Sequence, residues 1–464
     1  MHNIYSATLE PKFSVREQLR LFAFEISPVP TEEILLRVRK EMSKRERLAT
    51  LLEGELNFHG ENSRYASHDL HAFAAKFPPQ LPRAFIRGLT EPGDSVLDPM
   101  MGSGTTVVEA LLEQRKGIGL DIDPLAIHLC NVKTTPVDVD EIRDVSTRVI
   151  NRANTLLKEI TVVDHYLATK FDKQTREFID YWFNPVTQRE LASLIIAIQE
   201  SGNNPITRFL ELVFSSIIIT KSGGVSRARD LAHSRPHLDE TKVPKSAIDQ
   251  FAIKLRKNLT SISKLKGKST QSTVIEGDSR QLPFVDEAID LIVTSPPYAN
   301  AIDYIRAHKF SLVWFGKSIE DLSELRSKYI GSERIGNFNY SLLGDRTERV
   351  IRILAERDRK KAAMLRKYFL EMKITLCEMY RVLRKDSAAI VVVGSSVMRN
   401  FDVETHLGLT EIAANVGFDV VGVVRRILDR NKRMMPARFG NKTDSMIEQR
   451  IHDEYVIGLL KPLP

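Results

Sequence analysis

Residues 96–121 constrain the fold more than any other part of the chain. Val96-Leu97-Asp98 is a short apolar run, and Pro99-Met100-Met101-Gly102-Ser103-Gly104-Thr105-Thr106 is a glycine-bearing turn. Val107-Val108-Glu109-Ala110-Leu111-Leu112 then has helical composition, and Gly117-Ile118-Gly119-Leu120 reads as a second strand ending at Asp121. Strand, turn, helix and strand in so few residues read as the glycine turn of an open α/β sheet. Gly102 and Gly104 remove Cβ atoms where backbone must come close to a ligand. Asp123-Pro124 reads as a helix cap followed by proline at the first helical position.

Asp121 lies 23 residues beyond Asp98. A carboxylate about 20 residues past a glycine turn is placed to bind a ribose diol. A dinucleotide site is the rival reading, but the full G-x-G-x-x-G is absent and Asp98 would repel a pyrophosphate. A cationic, phosphate-free nucleoside fits better, and S-adenosylmethionine has that chemistry.

Further along, Asp290-Leu291-Ile292-Val293 runs into Thr294-Ser295-Pro296-Pro297-Tyr298. Proline cannot extend a ladder, so the pair leaves a rigid turn at a strand's carboxyl end, where open α/β sheets keep their ligand crevice. Such a turn suits a planar substrate with an exocyclic amine. Ser295 Oγ and the Pro296 carbonyl can accept the amine hydrogens while Tyr298 stacks on the ring.

Taken together, these residues resemble the S-adenosylmethionine-dependent DNA methyltransferases that act on exocyclic amino groups. The Ser-Pro-Pro-Tyr form is similar to the N4-cytosine branch, whereas the N6-adenine branch usually has Asp or Asn at the Ser295 position. The resemblance extends to His71–Arg83, similar to the helix-start segment that closes over the cofactor's methionine end. It extends also to Glu276-Gly277-Asp278-Ser279, where Asp278 would accept from the adenine amine. It covers roughly residues 65–132 and 272–464. It implies a Rossmann-like class I methyltransferase fold: a mostly parallel seven-stranded sheet with a closing antiparallel strand, plus a largely helical insertion. As cofactor contacts it implies Lys76, Phe77, Asp98, Pro99, Met100, Gly102, Gly104, Thr105, Thr106, Asp121, Ile122, Asp278 and Ser279. Ser295, Pro296, Pro297 and Tyr298 are the implied catalytic turn. The family's usual Phe is Met100 here, which covers similar apolar surface.

Composition narrows the partners. Lys and Arg number 67 against 60 Asp and Glu, a net charge of +7, which suits a polyanion such as double-stranded DNA. The basic run Lys254, Arg256, Lys257, Lys264, Lys266 and Lys268 reads equally as a solvated helix face. Arg425, Arg426, Arg430, Lys432, Arg433 and Arg438 lie in the part that the resemblance sets beside the cleft, and the last four are expected to bind DNA. Two cysteines, Cys130 and Cys377, argue against a disulfide framework or zinc site and are expected to pack as small apolar residues. Neither stands in the turn that follows Asp290–Val293, so C5-cytosine chemistry through a nucleophilic cysteine is excluded. No metal is expected. His68, His71 and His308 are expected to be structural, because the transfer needs no imidazole. No apolar run approaches the about 18 residues of a membrane span, and Met1-His2-Asn3-Ile4 does not open a secretion signal, so a cytoplasmic location is expected.

The expected organisation is an N-terminal helical extension over 1–60 and a catalytic domain from 61–132 with 271–464. Between them, 133–270 is a helical insertion with apolar spacing at 191–198 and 209–219. Nothing in the chemistry requires this insertion, so it is a candidate target-recognition region, read through the Gly223-Gly224 loop with Arg227 and Arg229. A second polar insertion covers about 316–360. Alternatives to N4-cytosine methylation are N6-adenine methylation of DNA, amino-group methylation of tRNA, and cofactor-dependent DNA binding without catalysis. The reading leaves room for a cognate restriction endonuclease on a separate chain.

Overall fold

The computed structural model describes residues 31–73, 76–220, 222–229, 231, 236–262, 272–299, 303–332, 342–394, 396–428 and 453–464. Its centre is a seven-stranded sheet of β1 (Ser95–Asp98), β2 (Lys116–Asp121), β5 (Ser272–Glu276), β6 (Ile289–Thr294), β7 (Leu383–Gly394), β10 (Asp419–Ile427) and β11 (Asp453–Lys461). The two-residue pairs β3 (Ala228–Arg229) with β4 (His237–Leu238), and β8 (Val397–Met398) with β9 (Phe401–Asp402), stand apart.

Strand order is β10-β11-β7-β6-β1-β2-β5. Pairings from β5 through β7 are parallel, and β11 alone runs against both neighbours. The closing antiparallel strand that the resemblance implies is present as β11, paired with both β10 and β7. The chain winds outward from β1 to β5 and then returns to β6. That reversal puts a topological switch point between β1 and β6, and a crevice outside their carboxyl ends.

Period-two alternation buries both faces of the sheet. Val96, Leu291, Val293, Ile390 and Val392 join one core with Leu48, Leu52 and Phe85. Leu97, Ile292, Ala389, Val391 and Val393 join the other with Tyr368, Phe369 and Leu409. Within the N-terminal region, helices Thr31–Arg37 and Lys44–Leu52, the second started by a Ser43 capping box, cover the first of these faces.

Residues 139–262 form a helical body. Four of its helices start at Asp138, Asp172, Asn184 and Asn204, whose side chains accept from first-turn amides. This body is not closed within 133–270, because Ile305, Phe310 and Trp314 enter the same core from beyond β6. Cys130 is buried as expected, but Cys377 is exposed. No described helix is long and apolar enough to cross a membrane.

Candidate active site

β1, β2, β5 and β6 all end at one edge of the sheet, and a cleft of about 840 Å³, its open mouth included, lies along that edge. β1 delivers Asp98, Pro99 and Met100; the following turn delivers Gly102 and Thr105; β2 delivers Asp121 and Ile122. β5 delivers Asp278 and Ser279, and the segment before helix Gln80–Leu89 delivers Lys76 and Phe77. Ser295 and Pro297, past the end of β6, form part of the same wall. Residues almost 200 positions apart therefore meet where the topology predicts.

Asp98 is 1% exposed, and its Oδ1 accepts the Thr294 hydroxyl at 2.7 Å and the Met100 amide at 3.2 Å. Burial pushes its carboxyl up to about 7, against the pull of those donors. Asp121 accepts the Gly102 amide at 2.8 Å and the Asp123 amide at 2.9 Å. Burial and the nearby Asp123 push it up to about 6. In Asp278 burial is outweighed by Arg280, whose Nε donates at 2.9 Å, and the carboxyl is held below its ordinary range.

Asp98 and Asp121 set carboxyl oxygens on the wall of this cleft. With apolar Phe77, Met100 and Ile122 beside them, they match a ligand that joins positive charge to a nucleoside. Gly102 has φ +47°, and a Cβ there would lie 3.1 Å from the Phe73 ring, so glycine lets the turn run beneath that ring.

Some expected residues lie elsewhere. Gly104 is not on the cleft: a Cβ there would lie 2.5 Å from Cys130 Sγ, so this glycine serves helix packing. Thr106 is fully buried and donates to the Val293 carbonyl at 3.1 Å, tying the turn's helix to β6. Pro296 is buried in the turn after β6. Tyr298 is half-buried beside the second sheet core, and its hydroxyl donates to Glu454 Oε1 at 2.7 Å.

The arginine pair of the helical body is placed differently from the expectation. Arg227 turns inward, where its guanidinium donates to the Asp180 carbonyl at 3.1 Å and to the Tyr181 carbonyl. Those carbonyls belong to the last turn of helix Lys173–Trp182, whose negative end a cation suits. Arg229 is exposed and pairs with Asp239 at 2.6 Å across β3 and β4. Arg430, Lys432, Arg433 and Arg438 lie outside the described residues. Arg425 and Arg426 pair with Asp453 and Glu454 in their own strand pair.

Further residues at or beside the cleft were not among the expected cofactor contacts. Phe73 stacks on Tyr304 with centroids 5.4 Å apart, and His308 lies 5.2 Å from Phe73. Asp123 Oδ2 is 2.5 Å from His308 Nδ1. Tyr329 and Ile330 close the cleft from the second polar insertion. His68 and His71 are buried and hydrogen-bonded to Glu109 and Ser215, and burial holds both imidazoles well down, as structural histidines require.

A family model described as DNA methylase, of the N6/N4 type, matches residues 33–131. The type II methyltransferase M.MvaI of Kocuria varians is 24% identical over 383 residues, 77% of this chain and 83% of that one. M.MjaII of Methanocaldococcus jannaschii is 22% identical over 396 residues, covering 67% and 74%. M.BglI of Bacillus subtilis is 54% identical over 57 residues, covering 12% and 16%. The family model and these relatives make the chain similar to DNA methyltransferases of the exocyclic-amino type, with S-adenosylmethionine as cofactor.

Proposed function

We propose that this enzyme methylates the N4 amino group of a cytosine flipped out of double-stranded DNA, at a specific site. The observation that carries the reading is Ser295: the turn that would hold the amine starts with a hydroxyl, and this residue shares a wall with the carboxylates of the cofactor cleft. Relatives named type II methyltransferases support site-specific action.

Bound in the cleft, S-adenosylmethionine supplies a methyl group activated by its sulfonium. The chain's own task is to place a poor nucleophile. The N4 lone pair is delocalised into the ring. Accepting its two hydrogens at Ser295 Oγ and the Pro296 carbonyl favours a pyramidal nitrogen whose lone pair points at the methyl carbon. That is positioning and electrostatic preorganisation, with no base needed before transfer. The methyl–sulfur bond breaks as N4–CH3 forms, and the cationic N4 then sheds one proton along its hydrogen bond at Ser295 to solvent. The two prolines hold the carbonyl rigid. A base inside a duplex cannot reach this turn, so it must leave the stack at a cost of a few kcal/mol. Stacking on Tyr298, about 1–3 kcal/mol, would offset part of that.

The test is nucleoside mass spectrometry on duplex DNA treated with the enzyme and methyl-labelled cofactor. N4-methylcytosine is expected. N6-methyladenine without N4-methylcytosine would overturn the choice of base, and label in tRNA alone would overturn the choice of substrate.

A further inference from the structure

Tyr298 is held from a distance. Its hydroxyl meets Glu454, 156 positions later, at the start of β11. The other Glu454 oxygen takes the Arg426 guanidinium from the facing register position on β10. Arg426 is 3% exposed and Glu454 7%, so this is a buried ion pair. Arg426 Nε in turn donates to the Leu56 carbonyl at 3.0 Å. One residue on, the Ile427 amide donates to Asn57 Oδ1 at 2.6 Å, and His59 Nε2 lies 2.8 Å from the Ile427 carbonyl.

A buried ion pair is a poor means of gaining stability, since desolvation consumes most of the attraction. Its use here is geometric. A tyrosine ring has two torsions, and its backbone end is already fixed by the prolines. An anchor on the hydroxyl fixes the remaining freedom, and an anchor that is itself clamped by a salt bridge and a carbonyl cannot swing with it. Glu454 meets the turn after β6 through the Tyr298 hydroxyl, so it acts through that ring.

We propose that Glu454, oriented by Arg426, is a positioning residue that sets the plane of Tyr298 for the target base. The inference rests on the reading that Tyr298 stacks on that base. The same two residues stand where β10 ends and β11 begins, on either side of the stretch that carries Arg430, Lys432, Arg433 and Arg438. The active turn and the root of that basic stretch are thus joined by two side chains.

The experiment is a cycle on the full chain with three readouts: methyl-transfer kcat, cofactor Kd and melting temperature. Tyr298→Phe keeps the ring and removes the anchor point. It should lower kcat at least about fivefold, with cofactor Kd within about twofold of wild type. Replacing the pair by Arg426→Met with Glu454→Leu should lower kcat about tenfold when Tyr298 is present. In a Tyr298→Phe background the same replacement should change it less than about twofold, because no anchor remains to lose. A purely structural pair would lower activity equally in both backgrounds, and that result would overturn the proposal. Should the replaced pair fail to fold, Tyr298→Phe decides alone: wild-type kcat sinks the positioning role. Tyr298→Ala tells the two failures apart. If it retains full transfer, stacking itself is wrong; if it abolishes transfer while Tyr298→Phe is unaffected, stacking stands and Glu454 has no part in it.

Discussion

Two glycine turns in this molecule look alike as strings and differ as objects. Met101-Gly102-Ser103-Gly104 and Ser222-Gly223-Gly224-Val225 both follow an apolar run and both contain glycines with positive φ. At Gly102 an added Cβ would meet only the edge of the Phe73 ring, and the glycine lies on an open cleft. At Gly224, with φ +52°, it would lie 1.9 Å from the Ile217 carbonyl oxygen; at Gly223 it would lie 1.8 Å from that of Ala228. The first turn leaves room for a ligand. The second is pressed into its own helix end. The same contrast runs through the polar groups: Asp98, Asp121 and Asp278 face the cleft, whereas Arg227 spends its donors on helix carbonyls. Glycine and charge mark a binding turn only when tertiary structure leaves them facing space.

The largest test of that contrast is Gly224→Ala. Left-handed strain and a backbone clash should together cost about 3 kcal/mol or more of stability, read by urea unfolding. Cofactor affinity of the protein that remains folded should be unchanged, because the cleft is built elsewhere. A variant as stable as wild type would mean that the turn is the flexible loop its composition suggests, and the contrast would fail.

A smaller effect tests the cleft. Because burial raises the Asp98 carboxyl to about 7, the group is largely neutral below that pH in the free protein, whereas an unfolded aspartate titrates near 3.8. A cationic cofactor prefers the carboxylate. Affinity for S-adenosylmethionine should therefore fall as pH drops below about 7, by up to about tenfold per unit, and level off above it. The sign for stability is opposite: ionising this buried group works against the folded state, so the free protein loses stability between about pH 4 and pH 7. Calorimetric titration across that range reads the first effect, and Asp98→Asn should flatten it. A pH-independent affinity would remove Asp98 from the cofactor's charged end.

The cleft was legible because its parts are strand ends. Asp98, Asp121, Asp278 and Ser295 each follow an apolar run, and parallel connectivity alone brings such ends to one edge. What stayed illegible depends on partners remote in sequence. Nothing near Thr31–Leu52 says that these helices cover a sheet whose strands reach residue 461. Helical periodicity in 191–219 shows an apolar face, but not that Phe310 and Trp314 would fill it. Tyr304, Tyr329 and Glu454 carry no local pattern at all. For arginine the difficulty is sharper, because the same side chain caps a helix end or reaches for a phosphate according to what stands beside it.

The smallest expected effect separates the two arginines that composition had grouped. Replacing both would confuse a structural loss with a binding loss, since Arg227 is part of the helical body's hydrogen bonding. Arg229→Ala alone is the clean variant. Its side chain is 66% exposed and its ion pair with Asp239 is a surface one, so the melting temperature should stay within about 2 °C of wild type. If this face of the helical body meets DNA, the arginine gives up Asp239 for a phosphate. KM for DNA should then rise a few-fold at unchanged kcat, and the slope of log affinity against log salt should shrink by about one contact. An unchanged salt slope would show that β3 and β4 stay off the duplex. The stretch between β10 and β11, whose flanking strands carry the residues that hold Tyr298, would then be the next to test.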